Sequence, residues 1–315
     1  MSKTSYRHLF GPVPSRRFGR SLGIDLTPFK TCSFDCIFCQ LGRTTNKTAI
    51  AAEYVPAQKV LTELADWLKN DGAADFISLA GSGEPTLNSF FGQIIDVVHR
   101  ECKIPVALLT NGTQLIHDDV RLQAAKADVI KLSLSAWDQQ SLDVMNRPVD
   151  GVKFSELIKG MQDLRQICNN QIWLEVFLAW GINTAPDDVR KIAQLAASIA
   201  PDKIQLNTAV RPPCEDFARP VPKEQLLRLA ELFQPKADPI AEFSSDHSSQ
   251  VQATEADVLV TLQRRPCTLG QLCAVFGLHR NEASKYIGKL LRTGQIVEQR
   301  KASEWYYTGV HQAKS

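Results

Sequence analysis

Six short apolar runs, each followed by a stretch with helical periodicity, constrain this 315-residue chain more than any other feature. The runs are "SLGIDLT", "DFISLAG", "PVALLTN", "DVIKLSLS", "IWLEVFLAW" and "KIQLNTAV". Runs of this length and character suit buried parallel strands. Between them, residues 57–69 place Val60, Leu61, Leu64 and Trp67 on one helical face, and a second helix is expected behind a Thr184 cap, with Val189, Ile192, Leu195 and Ile199 aligned. Strand–helix units repeated in this order predict an α/β fold. Six right-handed units close most naturally as a partial (β/α)6 TIM-like barrel. Polar residues end nearly every run: Glu84, Asn111, Ser133 and Ser135, Asn183, Asn207. In such a barrel those ends meet at one mouth, where ligand sites are built.

The chain changes character near its end. Residues 241–253, polar and rich in Ser, read as a linker after a barrel domain of residues 1–240. Residues 254–315 predict three helices, two of them opened by capping boxes at Thr254 with Asp257 and Thr268 with Gln271, and then a hairpin of "QIVEQ" and "EWYYTG". That order is the winged-helix pattern. Charge is uneven: residues 1–47 carry eight Lys/Arg against two acids, residues 48–249 carry 19 against 27, and residues 250–315 carry nine against five. A basic start and a basic tail around an acidic middle suit an anionic partner, or simply a solvated surface. Arg16, Arg17 and Arg20 before the first strand could meet a phosphate backbone or form salt bridges. No apolar run is long enough to span a membrane and no secretory signal is visible, so a cytoplasmic protein is expected.

The chemistry concentrates in "KTCSFDCIFCQLGRT", where Cys32, Cys36 and Cys39 fall within eight positions. Zinc wants four protein ligands in a structural site, or three and a water in a catalytic one. Cys102, Cys168 and Cys214 are each isolated, and no histidine follows the trio closely. A four-iron cluster held by three cysteines instead keeps one iron open to an external ligand. Cys267 and Cys273 read as core residues of the tail.

"CSFDCIFC" resembles the cysteine motif of the radical S-adenosylmethionine (SAM) superfamily. "GPVPSRRFGRSLGIDLTP", "SGEPTL", "LLTNGT", "KLSLSAWD", "NRP" and "QLNTAVRPP" resemble its wyosine-synthase-like, tRNA-modifying branch. The resemblance implies a [4Fe–4S] cluster on Cys32, Cys36 and Cys39, with SAM on the open iron. It implies reductive cleavage of SAM to a 5′-deoxyadenosyl radical that takes hydrogen from a substrate. Phe38 would lie against the adenine, and Gly83 with Glu84 would receive the SAM ammonium through carboxylate or backbone. Asn111, Ser133 and Ser135 match positions holding the methionine carboxylate and ribose, and Asn183 and Asn207 are candidates for adenine and ribose. Ser82 stands where the family average has glycine, and Arg147 could pair with an anion. The partners implied are a flavodoxin- or ferredoxin-like electron donor, and RNA or a protein met through the winged helix. The substrate stays open between a tRNA base and a protein, peptide or metabolite. The other class of reading is a redox-sensing DNA-binding regulator.

Overall fold

A computed structural model gives the fold and describes residues 6–15, 17–240, 254–301 and 304–310. The expected linker at 241–253 and Arg16 lie outside the described residues.

The first strands, β1 (Leu9–Ser15) and β2 (Gly19–Ile24), form an antiparallel pair. The two-residue strands β3 (Thr31–Cys32) and β4 (Asn46–Lys47) bracket the cysteine segment. Then come α1 (Ala57–Asn70), β5 (Phe76–Leu79), α2 (Phe91–Glu101), β6 (Val106–Thr110), α3 (Asp118–Ala124) and β7 (Val129–Ser133). They are followed by α4 (Gln139–Met145), α5 (Phe154–Ile167), β8 (Gln171–Leu178), α6 (Pro186–Ile199) and β9 (Lys203–Thr208), and by α7 (Lys223–Ala230) and β10 (Asp238–Pro239). The sheet order is β1-β2-β5-β6-β7-β8-β9-β10, and β2, β5, β6, β7, β8 and β9 pair in parallel. These six strands and their crossover helices make a partial (β/α)6 barrel.

Strand register explains how the chain builds this frame. Residues paired across the sheet share a face, so Leu22, Ile77, Val106, Ile130, Leu174 and Ile204 lie on the helix-facing side. All are buried in one large apolar cluster with Val60, Leu64 and Trp67 of α1 and Val189, Ile192 and Ile199 of α6. The opposite face is not apolar. It presents Ser21, Ser78, Lys131, Glu175 and Gln205, where Ser21 Oγ and Ser78 Oγ lie 2.7 Å apart and Lys131 Nζ is 3.0 Å from Glu175 Oε2. Arg17 reaches in to pair with Glu175 and donates from Nε to Gln205 Oε1 at 3.0 Å. Arg17 is therefore spent on the salt bridge that the sequence offered as its alternative role. Below this charged layer Phe18, Phe76 and Trp173 close the barrel floor, with Phe18 stacked on Trp173 at 5.2 Å. Polar groups buried in such a channel need partners, and here they partner one another.

The α6 cap differs from expectation. The helix starts at Pro186, and no side chain caps it. Thr184 Oγ1 instead accepts from Gly181 N at 3.0 Å, closing the preceding turn.

The C-terminal unit contains α8 (Glu255–Arg264), β11 (Cys267–Thr268), α9 (Leu269–Phe276), α10 (Arg280–Arg292), β12 (Ile296–Lys301) and β13 (Glu304–Gly309). Both expected capping boxes are formed, and Ala283, Ile287 and Leu290 are the buried face of α10. The unit has its own apolar core, which includes Cys267. Lys289, one of the basic residues of α10, is tied to Glu255 at 2.7 Å.

A candidate iron–sulfur and SAM site

The cysteine segment is fixed from two sides. On one, Lys30 N donates to Ser82 O at 2.8 Å and Glu84 N to Thr31 O at 3.1 Å. This contact needs glycine at position 83, because a Cβ there would sit 1.8 Å from the Thr31 carbonyl oxygen. Ser82 has its own reason: its hydroxyl donates to Asp25, and its N–H to Asp25 Oδ1 at 3.0 Å. On the other side, Asp35 N donates to Asn146 O at 2.9 Å, Ile37 N to Met145 O at 3.1 Å, and Val149 N to Ser33 O at 2.8 Å. The "NRP" segment is thus the second rail of the cysteine loop. Arg147 there adopts a positive φ of 46°. Its guanidinium pairs with Glu215 at 2.5 Å, and Arg43 reaches the same carboxylate.

Each cysteine sulfur has a nitrogen donor beside it. Lys30 Nζ is 3.1 Å from Cys39 Sγ, Asn146 Nδ2 is 3.2 Å from Cys36 Sγ, and Asn111 Nδ2 and Phe34 N are 3.6 and 3.5 Å from Cys32 Sγ. Burial pushes the Cys32 thiol up to about 12, with the Glu84 charge acting in the same direction, and burial holds Cys36 well above the ordinary thiol value. Such thiols are poor nucleophiles and ionise when a metal displaces the proton. Lys30 is only 3% exposed. Burial draws its ammonium downward, but Cys39, Cys32 and Cys36 outweigh burial and keep it raised. Among the described residues no three acidic, Cys or His side chains converge closely enough to hold one metal ion. Three thiols on one loop, each beside a nitrogen donor, are a donor set suited to a cluster.

Lys30 and Asn146 are contributions that the spacing of the cysteines does not reveal. Hydrogen bonds and positive charge at the sulfurs raise a cluster's reduction potential. Lys30→Met is therefore expected to make the potential of the loaded protein more negative, read by electron paramagnetic resonance during a redox titration. An unchanged potential would show that the 3.1 Å contact has no electronic role.

Glu84, 3% exposed, spends its carboxylate inside the protein. Oε1 accepts from Thr86 N at 3.1 Å, Thr86 Oγ1 at 2.6 Å and Thr110 Oγ1 at 2.7 Å, and Oε2 accepts from Asn111 N at 2.8 Å. It therefore positions Asn111, whose Nδ2 also donates to Ser33 Oγ at 2.9 Å. Phe38 stacks on Phe177, with centroids 4.0 Å apart and planes 10° from parallel. Register puts Asn207 beside Phe177, and Ser133 beside Glu175, on the channel face. Both are half-buried.

Two of the expected contacts lie elsewhere. Asn183 is fully buried, its Nδ2 donating to Ser135 O at 3.0 Å and Phe177 O at 2.9 Å while Oδ1 accepts from Ala179 N at 2.8 Å. Ser135 is buried too, and its Oγ accepts from Phe177 N at 3.3 Å. The pair knits the ends of β7 and β8 together, so neither side chain is presented to a ligand. Asn183→Ala would orphan three buried backbone groups and is expected to cost about 3 kcal/mol, checked by urea unfolding. A loss under about 1 kcal/mol would mean the loop re-pairs without it.

Comparison with known proteins gives a consistent result. A family model described as the radical SAM superfamily matches residues 26–196. A protein named GTPase Obg from Brachyspira hyodysenteriae is 31% identical over 304 residues, 95% of this chain but 44% of that protein. The chain thus spans less than half of that relative. A UPF0026 protein of Synechocystis is 32% identical over 212 residues, 66% of this chain and 78% of its own length. A UPF0026 protein of Methanocaldococcus jannaschii is 26% identical over 92% of both chains. Among solved structures, TYW1 with a lysine–pyruvate adduct bound shares the fold at a TM-score of 0.50 and 17% identity, over 69% of this chain and 74% of that one.

Proposed function

The chain belongs to the radical SAM superfamily, and on that premise we propose that it is a radical enzyme acting on a base of RNA, tRNA being the first candidate. As a member it is an iron–sulfur enzyme that uses a [4Fe–4S] cluster and SAM. Bound together, these supply a one-electron cleavage that yields a 5′-deoxyadenosyl radical able to take hydrogen from a substrate carbon. The observation that carries the site assignment is the trio of half-buried thiols with a donor at each sulfur.

In this reading Cys32, Cys36 and Cys39 hold the cluster, and Lys30, Asn146 and Asn111 offset the negative charge of the thiolates. Glu84 fixes Asn111 and leaves the adjacent Gly83 carbonyl to receive the SAM ammonium, since its own oxygens and the Ser82 carbonyl are engaged within the protein. Phe38, braced by Phe177, offers an aromatic wall for adenine, while Ser133 and Asn207 supply hydrogen-bonding groups on the channel face. The floor of Phe18, Phe76 and Trp173 keeps water from entering below. Electrons would come from a flavodoxin- or ferredoxin-like donor. A cluster-gated regulator, the other class considered, is set aside because superfamily membership makes the chain an enzyme. Among the described residues no helix is long and apolar enough to cross a membrane.

RNA as substrate is supported by the motif resemblance, by the fold shared with TYW1 and by the positive excess at both chain ends. The C-terminal unit, read as a winged helix, would present the substrate. The test is anaerobic incubation of the reduced, iron-loaded protein with SAM and either bulk tRNA, a peptide digest or a metabolite extract. A tRNA nucleoside of altered mass, with 5′-deoxyadenosine formed fastest in the tRNA sample, is expected. Stimulation by the peptide or metabolite pool alone would remove RNA as substrate and leave the radical chemistry standing.

A further inference from the structure

Two loops at the barrel mouth carry aromatic rings that the fold leaves in water. Trp180 follows β8 and is 37% exposed, and Phe217 follows β9 and is 53% exposed. Though distant in sequence they lie on adjoining backbone, since Trp180 N donates to Arg219 O at 2.9 Å and Arg219 N to Phe217 O at 2.8 Å. The turn that bears Phe217 rests on the cysteine loop, with Glu215 N donating to Ile37 O at 2.9 Å and Ala218 N to Glu215 O at 3.0 Å. Ala179 and Ala218, the chain neighbours of the two rings, are buried with Ile37 and Phe177 in the small apolar cluster on which Phe38 packs. Each exposed ring is therefore one residue away from the wall assigned to adenine.

Single exposed apolar side chains are ordinary. Here two aromatic rings stand on adjoining loops beside the opening, and their exposure means that the fold gains little from burying them. The charges around them lean positive. Arg219 is exposed and has no ion-pair partner among the described residues. Glu215 is held by Arg43 and Arg147, Arg43 also pairs with Asp35, and Asp216 is 3.9 Å from Lys301. Arg43, Arg147, Arg219 and Lys301 thus face Asp35, Glu215 and Asp216, which leaves one cation over. Flat rings beside guanidinium groups are what unpaired nucleobases and their phosphates require. A protein partner fits less well, because a stable protein interface takes about 800 Å² from each side, whereas one ring serves one base.

We propose that Trp180 and Phe217 form a stacking platform for the unpaired bases next to the one carried to SAM, with Arg219 on the connecting phosphate. This rests on the reading of RNA as substrate, and it says how the strand is held: by ring faces, which every base offers, rather than by base edges. A base inside a duplex hides its faces, so the platform selects a loop or a single strand. Because the turn of Phe217 is tied to Ile37, between Cys36 and Cys39, a strand stacked there is held at the cysteine loop.

The test uses the full-length, iron-loaded protein with SAM saturating, titrated anaerobically with a mixed-sequence RNA pentamer, the same sequence in a blunt duplex, and a phenylalanine-rich hexapeptide. The pentamer is expected to bind more tightly than the duplex and to quench tryptophan fluorescence as a base covers Trp180. Phe217→Ala and Phe217→Leu should each weaken pentamer binding by about five-fold or more. Phe217→Tyr, which keeps the flat ring, should retain it. Trp180→Phe should keep the affinity and lose most of the quench. Arg219→Ala should lower the slope of log affinity against log salt by about 0.7. Both rings are exposed, so urea unfolding of these variants should match that of the unaltered protein. Unchanged pentamer affinity in Phe217→Ala and Trp180→Ala, or the peptide bound as tightly as the pentamer, would overturn the platform. An altered tRNA nucleoside made by the same preparation is read separately. If it appears while the pentamer is not bound, the platform falls and RNA stays the substrate; if neither is seen, both fall.

Discussion

Cys36→Ala is expected to yield a colourless protein whose 5′-deoxyadenosine output from SAM falls to the assay background. In the proposed site the three cysteines are the cluster's thiolate ligands, and loss of one would leave a corner of the cluster unheld. Asn146 would lose the sulfur to which it now donates at 3.2 Å. The fold should survive, because the loop is also held by backbone bonds of Asp35, Ile37 and Val149 that do not involve the sulfur. Far-ultraviolet circular dichroism and urea unfolding of the metal-free chain should therefore change little. Cys102→Ala, at the end of α2, is the matched control and should retain the iron. Retention of a full cluster by Cys36→Ala would show that the ligands have been misassigned.

Glu84→Ala should produce the largest loss of stability. It leaves the N–H groups of Thr86 and Asn111 and the hydroxyls of Thr86 and Thr110 without their acceptor in a buried site. At about 1–3 kcal/mol for each orphaned group, and less than additively, the cost is about 4 kcal/mol or more. This corresponds to a fall in melting temperature of roughly 10 °C. There is a pH signature as well. Burial holds the Glu84 carboxyl above its ordinary value of 4.5, while hydrogen bonds from Thr86, Asn111 and Thr110 pull against it. The folded state then keeps the proton longer than the unfolded state does. Its contribution is fully present below pH 4.5 and declines as pH rises through the raised folded value. Glu84→Gln, which cannot titrate, should lack that decline. An identical pH dependence in the variant would mean that another group sets it.

What could be read from the sequence was local. The capping boxes at Thr254 and Thr268 span three residues each, and both are formed. Six apolar runs gave six parallel strands, because register and burial depend on short-range pattern. The channel face was also written there, as Lys131 and Ser133 alternate with buried neighbours. Treating parallel strands as apolar on both faces hides it. Long-range pairing could not be read. Lys30 gives no hint of being a buried donor to Cys39, and Asn146 reaches Cys36 across 110 positions. Asn183 and Ser135 lie at strand ends as ligand-binding residues do, yet only the fold shows that they satisfy each other and Phe177. Thr184 had a capping partner in sequence and used its hydroxyl one turn earlier.

The enzyme stands or falls on whether these three thiols hold a cubane with one iron left for SAM. The decisive measurement is anaerobic: reduced, iron-loaded protein is mixed with SAM, and the products are quantified by mass spectrometry alongside the cluster's magnetic resonance signal. We predict 5′-deoxyadenosine and methionine in equal amounts, and a change in the cluster signal when SAM is added. A fully reduced, intact cluster whose signal ignores SAM and from which no 5′-deoxyadenosine appears would contradict the account.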